Sequence, residues 1–457
     1  MSVDVERHVS DCDEPPRDRS ISRRHVLAVL GSAGVAGCFA AGGPSDPETA
    51  TSATTPTDTP TATPTETETA TETETEAEPE TEADPDRWEA ADGSPREANV
   101  EVEIIATDLE IPWDAVFAAD GSIYLSERDG RVVRTGGGDA TEVATPEDVH
   151  TVGNAGSLGL ALHPEGEDLL YHYYTSRDGG PRRNRVVRYD LAADAPGDAA
   201  EVIVDGIPGG VIHNGGDIRF GPEGDLWIPV GDGKQEDRPL DPDSLGGSVL
   251  RVTPDGDPTG DAPYVDGGDP RIYTYGHRNP QGVSWLPDGR PVVTEHGPTG
   301  RDEVNLLVPG GNYGWPEARD RGGYAGTDFR RPVVNTGPDE TWAPSAATFY
   351  TGETVPEWRN RLLVPGLRSQ RLNVVTLTRP DGDLPPADSA TRYDGDWFDG
   401  DYVATAHPVL EDELGRIRRV IQGPDDEVYV LTSNRDGRAR GSFPKGRDDV
   451  LARLTPV

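Results

Sequence analysis

Lysine is nearly missing from this 457-residue chain: Lys234 and Lys445 are the only two among 42 basic residues, which face 83 acidic ones for a formal net charge of −41. A polyanion gains nothing from a surface so poor in cationic patches, so nucleic acid is disfavoured as a partner. Acid spread over every loop keeps a protein soluble in concentrated salt, where counterions screen its self-repulsion. The expectation is a salt-adapted source, with an ordinary acidic secreted protein as the plainer alternative. Cysteine is as scarce, with only Cys12 and Cys38, which rules out a disulfide framework. Long apolar runs are lacking too. The run from Val26 to Ala41 is too short for a membrane-spanning helix of about 20 residues. No convincing stretch keeps apolar residues at helical spacing.

What the N-terminus does contain reads as an address. Ser22-Arg23-Arg24-His25-Val26-Leu27 precedes the weakly apolar segment, the pattern of a twin-arginine export signal, a route that carries folded proteins. Val35-Ala36-Gly37-Cys38 resembles a lipobox, with Cys38 as the lipidated first residue of the mature chain and Cys12 removed. Residues 1–38 are therefore expected to be a signal peptide that leaves the protein lipid-anchored on the extracytoplasmic face of the membrane. Residues 39–96 are expected to be a disordered stalk. Stretches such as Thr63-Pro-Thr-Glu-Thr-Glu-Thr-Ala-Thr71 have nothing to bury against the entropy of folding.

From residue 97 to 457 the texture changes to short β-branched and aromatic runs punctuated by Gly, Pro and Asp. An apolar approach, a turn of the Pro-Asp-Gly type and a following strand recur at 115–125, 159–174, 217–227, 282–292 and 419–429. A weaker copy without the turn lies at 361–365. Such repetition predicts an all-β chain, a six-bladed β-propeller with four-stranded antiparallel blades. A β-sandwich is the alternative that the same turns allow. In a propeller, loops distant in sequence converge on one axial opening.

Four places along those loops could carry chemistry. His213 lies in Ile212-His-Asn-Gly-Gly-Asp-Ile218, and an imidazole held at a loop mouth titrates near neutral pH. Arg278 and Asn279, in Gly276-His-Arg-Asn-Pro-Gln-Gly282, offer a charge and a directional N–H to negative charge developing on an oxygen. The Gly297-Pro298 bend in Glu295-His-Gly-Pro-Thr-Gly-Arg-Asp-Glu303 can present backbone carbonyls, which calcium accepts as ligands. Arg416 and Arg418 alternate along a strand, so both side chains share a face suited to carboxylates. Each motif taken alone also has a plain structural explanation, such as an exposed histidine, a paired arginine or a simple turn.

Together with Asn312-Tyr-Gly-Trp-Pro316, these motifs resemble those of the soluble quinoprotein glucose dehydrogenases, the PQQ-dependent aldose and sorbosone dehydrogenases. The likeness runs from about residue 104 to 454. It implies PQQ and Ca2+ as cofactors, and hydride transfer from the C1 of an aldose to PQQ with His213 as general base. Arg278 and Asn279 would face the quinone, with Arg278 also catalytic, and Arg368, Arg416 and Arg418 would hold the cofactor. The carbonyls of Gly297 and Pro298 would bind one calcium, and Glu303 with the backbone of Tyr313 a structural one. Asn154 would contact the sugar. The resemblance also implies an unidentified external electron acceptor and allows a homodimer. Three positions depart from the glucose enzymes: Arg368 replaces a lysine, Asn154 a glutamine, and Ile212 an acidic residue often found there. A calcium-dependent propeller lactonase and a non-catalytic surface binding propeller are the competing readings.

Overall fold

In the computed structural model, residues 88–136 and 140–457 are described. The signal peptide and lipobox expected over 1–38, and the stalk expected over 39–96 as far as residue 87, lie outside them. Strands form six antiparallel sheets arranged as the blades of a propeller. Blade 1 spans 112–144, blade 2 157–208, blade 3 219–275, blade 4 280–335, blade 5 348–409 and blade 6 417–456. The strand Val100–Ala106 pairs with Leu451–Pro456, so the N-terminal end of the fold closes the last blade. Five sheets have four strands. Blade 5 gains a fifth, Thr391–Tyr393, beside Val403–Val409.

The sequence repeat is the hairpin between the two innermost strands of each blade. In blades 1 and 4, Asp120 and Asp288 accept the backbone N–H two residues on, from Ser122 and Arg290, a local bond that starts the turn. Gly121, Gly224 and Gly289 then sit at φ of 81°, 82° and 81°, where a Cβ is disfavoured. Asp426 takes that place in blade 6 at φ 63°. In blade 5 the same hairpin is replaced by residues 351–360 around the short 3-10 helix Pro356–Trp358. That substitution is why its repeat is faint in the sequence.

Charged side chains, as well as apolar ones, join the inner strands. Arg219 of blade 3 pairs with Asp114 of blade 1 at 2.9 Å, and Arg419 of blade 6 pairs with Asp217 at 2.9 Å and Asp114 at 3.2 Å. Asp114 also accepts the Leu160 N–H of blade 2 at 3.0 Å, and Asp217 that of Val283 in blade 4 at 3.1 Å. Five blades thus meet in one buried network, in which each charge has a partner.

Residues 88–96, assigned to the stalk by composition, belong to the fold. Trp88 packs against Phe349 and Tyr402 with centroids 5.0 and 5.8 Å away. Gly93 and Pro95 carbonyls accept from Arg361 and Trp358 at 2.8 and 2.9 Å. A single aromatic ring and a row of backbone acceptors hold this strap, and composition registers neither.

Because strands alternate in direction, the hairpin turns of the repeat lie at one end of the propeller. Loops from the second to the third strand, and from blade to blade, lie at the other end. Asn154, His213, Arg278, Asn279, Gly297, Pro298, Arg368 and Arg416 all fall on loops of that second end.

Candidate active site

His213 follows the last strand of blade 2 and is buried, with its backbone in the left-handed region at φ 63°. For a non-glycine residue that conformation costs about 1–3 kcal/mol, and such residues cluster at functional sites. Its Nδ1 lies 2.7 Å from Oδ1 of Asp232, a buried carboxylate on the loop after the second strand of blade 3. Asp232 also accepts the Lys234 N–H at 2.7 Å and the Trp315 indole N–H at 3.1 Å. With Nδ1–H given to Asp232, the lone pair of Nε2 remains available to take a proton. Burial lowers the His213 pKa below its ordinary value, and the Asp232 hydrogen bond offsets part of that shift. The ring is therefore neutral at pH 7, as a base must be.

Arg278 lies beside this pair. Its backbone carbonyl accepts the Asp232 N–H at 2.8 Å. Its guanidinium packs 5.3 Å from the centre of the Trp315 ring and donates to the His296 carbonyl at 2.9 Å. It has no ion pair with any described carboxylate, and its Nε lacks a hydrogen-bond partner. Asn279 is fixed by the Gly215 N–H, which donates to its Oδ1 at 3.1 Å, so the amide NH2 is the end free to donate. Beneath them His277 bonds Glu295 at 2.8 Å and stacks on Tyr313 at 4.5 Å. Its place is structural.

A cavity of about 620 Å³ opens at the same end, lined among others by Asn154, Gln281, His296, Arg368, Arg416 and Arg418. It brings four of the expected residues together. Arg418 is buried, lies 4.0 Å over the Trp113 ring and donates to Gln281 at 3.1 Å, with no described carboxylate as partner. Burial, then the neighbouring Arg416, lower its pKa. Leaving such a charge without a counter-ion is costly, so the site suits an incoming anion. Arg416 differs from its neighbour. Its guanidinium is taken by Asp436 at 2.6 Å and the Leu367 carbonyl at 2.8 Å, which makes it a wall rather than an open donor. His296 is held well below its ordinary pKa by burial and by Arg278, and its Nε2 has no partner.

The Gly297–Pro298 bend is shaped by Asp302. This buried carboxylate accepts the Gly297 N–H at 2.9 Å, the Thr341 hydroxyl at 3.0 Å, and the Trp342 and Ala343 N–H groups at 2.7 and 2.9 Å. A Cβ on Gly297 would lie 2.0 Å from the Arg301 carbonyl oxygen, so only glycine fits. Neither the Gly297 nor the Pro298 carbonyl accepts a hydrogen bond from the described residues, which leaves both free for a cation. No group of three or more His, Cys, Asp or Glu side chains among the described residues could hold a metal. Glu303 pairs across the sheet with Glu295 and accepts from Tyr324 at 3.0 Å and Asn335 at 2.9 Å. Burial and Glu295 push its pKa up, as expected for a carboxylate short of positive charge. Tyr313 reaches this end because the connection after blade 4's third strand runs back along blade 3, where Asn312 bridges Tyr275.

The profile of the Glucose / Sorbosone dehydrogenase family matches residues 109–441. The chain belongs to that family. An aldose sugar dehydrogenase of Escherichia coli is 28% identical over 372 residues, covering 76% of this chain and 94% of that protein. Quinoprotein glucose dehydrogenase B of Acinetobacter calcoaceticus is 29% identical, over 60% of this chain and 65% of its own length. Among solved structures, the PQQ-bound aldose sugar dehydrogenase of Streptomyces coelicolor is 33% identical with a TM-score of 0.63, covering 78% of this chain and 98% of that one. Family membership makes this protein an oxidoreductase, a sugar dehydrogenase.

Sequence reading missed Asp232, Trp315, His296, Gln281, Trp113 and Asp302. A signal existed for Asp232, a lone carboxylate between Gly231 and Gly233 at the end of a strand. Trp315, His296, Gln281 and Asp302 lie within the motifs quoted above without being singled out there, and Trp113 is picked out only by its three-dimensional neighbours.

Proposed function

We propose that this protein oxidises an aldose at C1 with PQQ and calcium as cofactors and passes the electrons to an external acceptor. One observation carries this: a carboxylate-held histidine opens at the same end as guanidiniums that have no acid partner of their own. Arg418, Arg368 and Arg278 would hold the carboxylates and the quinone edge of PQQ, with Asn279 donating beside Arg278. The free carbonyls of Gly297 and Pro298 would hold the active-site calcium, and Glu303 with Tyr313 a structural one. Bound PQQ supplies a two-electron acceptor for hydride, and calcium polarises it.

In this mechanism His213 Nε2 takes the C1 hydroxyl proton as the C1 hydride departs, and Asp232 stabilises the imidazolium that results. Arg278 and Asn279 offset negative charge on the acceptor without having to reorient. Asn154 positions the sugar. The unpaired arginines favour this reading over a calcium-dependent lactonase, which gives them no task. The twin-arginine motif and Cys38 support export and a lipid anchor, and the acidic, lysine-poor composition supports work in concentrated salt.

The test is reconstitution of the protein in high salt with PQQ and calcium, followed by dye reduction across a panel of aldoses. Turnover that needs PQQ and stops with a chelator supports the proposal. Failure to bind PQQ removes it.

A further inference from the structure

The cavity and the residues immediately around it carry more unpaired guanidinium groups than a cofactor with three carboxylates has charges to meet. Arg438, on the loop after the second strand of blade 6, lines the cavity and donates to Oδ1 of Asn154. Arg128 reaches the same corner and donates to the Gly153 carbonyl at 3.2 Å, with its Nε unpartnered. Arg128, Arg416 and Arg418 all interact with one carboxylate, Asp436, which the Arg416 guanidinium takes at 2.6 Å, while Arg438 gives it only a backbone N–H at 3.0 Å. Across the cavity Glu340 pairs with Arg371 at 2.5 Å, and exposed Asp339 is the wall carboxylate without an ion pair among the described residues. With Arg368 on the wall and Arg278 beside it, at the His296 carbonyl, counted as well, five guanidiniums at or beside this opening lack an acid partner among the described residues. Three match the cofactor, and Arg128 and Arg438 remain. That excess stands out in a chain of net charge −41.

The position of this corner matters as much as its charge. The Asn154 N–H donates to the Val211 carbonyl at 2.9 Å, two residues from the proposed base His213. An aldose seated with C1 at His213 and its ring against Asn154 would turn its far end toward Arg438. We propose that the substrate is an acidic aldose, such as a hexuronic acid, whose carboxylate is met by Arg438 with Arg128 behind it. This rests on the sugar-oxidising reading above. The chemistry balances as before: C1 loses its hydride to the quinone and its hydroxyl proton to His213, two electrons leave, and the ring becomes a lactone. The sugar's own carboxylate takes no part in the redox change and serves only to hold it.

Steady-state dye reduction by PQQ- and calcium-loaded protein would compare glucuronate and galacturonate with glucose and galactose, for wild type, Arg438→Gln and Arg438→Lys. PQQ affinity would be titrated in parallel by absorbance. The expected result is a higher kcat/KM for the uronates in wild type. Arg438→Gln should lower the uronate-to-neutral ratio by about tenfold or more, the loss of a charge-assisted hydrogen bond, and Arg438→Lys should restore part of it. PQQ affinity should stay within about twofold, a change under half a kcal/mol. A wild-type preference for neutral sugars overturns the inference and leaves the sugar-dehydrogenase reading standing. So does an Arg438→Gln variant that loses PQQ affinity without a change in ratio, since Arg438 would then belong to the cofactor. Absence of PQQ binding in wild type overturns both.

Discussion

Asp232→Asn isolates the proposed base without emptying its surroundings. The carboxylate accepts from His213 Nδ1 at 2.7 Å, Lys234 N at 2.7 Å and Trp315 Nε1 at 3.1 Å. Asparagine keeps the shape and one acceptor oxygen but loses the charge that favours the imidazolium. A charged hydrogen bond is worth roughly 1.5–3 kcal/mol and a neutral one about 1, so loss of charge alone slows proton abstraction by about tenfold. If the new amide turns its NH2 toward Nδ1, the proton is forced onto Nε2, the wrong nitrogen. The loss then approaches the whole general-base contribution, about 10²–10⁴. The pH profile supplies the sign. Burial already holds the His213 pKa below its ordinary value, and the Asp232 hydrogen bond raises it. Wild-type kcat/KM should therefore fall only as pH drops below about 6.5, and the variant's acid limb should lie lower still. The assay is kcat/KM for dye reduction against pH, with PQQ affinity and thermal midpoint as controls. An unchanged rate, or an acid limb that moves upward, would refute Asp232 as the partner of a catalytic histidine.

Three further outcomes are expected. Arg418→Met should weaken PQQ binding by about 10–100-fold, while apo-protein stability by thermal melt holds or rises, since a buried unpaired charge is removed; a large drop in the apo midpoint contradicts this. Asp302→Ala frees the Gly297 N–H and three neighbouring donors, so calcium retention against a chelator should fall by about 10–100-fold, and retention equal to wild type would count against the bend as a calcium site. Arg419→Ala leaves Asp114 and Asp217 buried beside one another and should cost about 3–5 kcal/mol in urea unfolding; the double change Arg419→Met with Asp217→Asn should recover part of it.

The propeller was legible because its repeat is a turn, and turns depend on local residue chemistry: Asp120 and Asp288 start them, and Gly121, Gly224 and Gly289 supply the positive φ. Where blade 5 builds its hairpin with a 3-10 helix instead, the copy faded. Its extra strand Thr391–Tyr393 left no mark, because three residues carry too little pattern to register. Most of the expected site residues come from loops at one end of the propeller, with Arg418 and Glu303 on strands, but spacing cannot tell an open charge from a neutralised one. Arg416 and Arg418 read as equals on one strand face, and only the fold shows Asp436 against the first and an aromatic ring against the second. The strap at Trp88 was hidden for a related reason. Its hold on blade 5 comes from one ring and backbone carbonyls, whereas the surrounding composition is that of the stalk.

The most direct test of the proposed chemistry is a single turnover. PQQ- and calcium-loaded wild type and His213→Ala would be mixed rapidly with sugar while the absorbance of the bound quinone is followed without any dye. If His213 is the base, both proteins bind PQQ with similar affinity, wild type is reduced promptly, and His213→Ala is reduced about 10²–10⁴ more slowly. Equal reduction rates in the two proteins would contradict the assignment of the base and, with it, the mechanism built on this site.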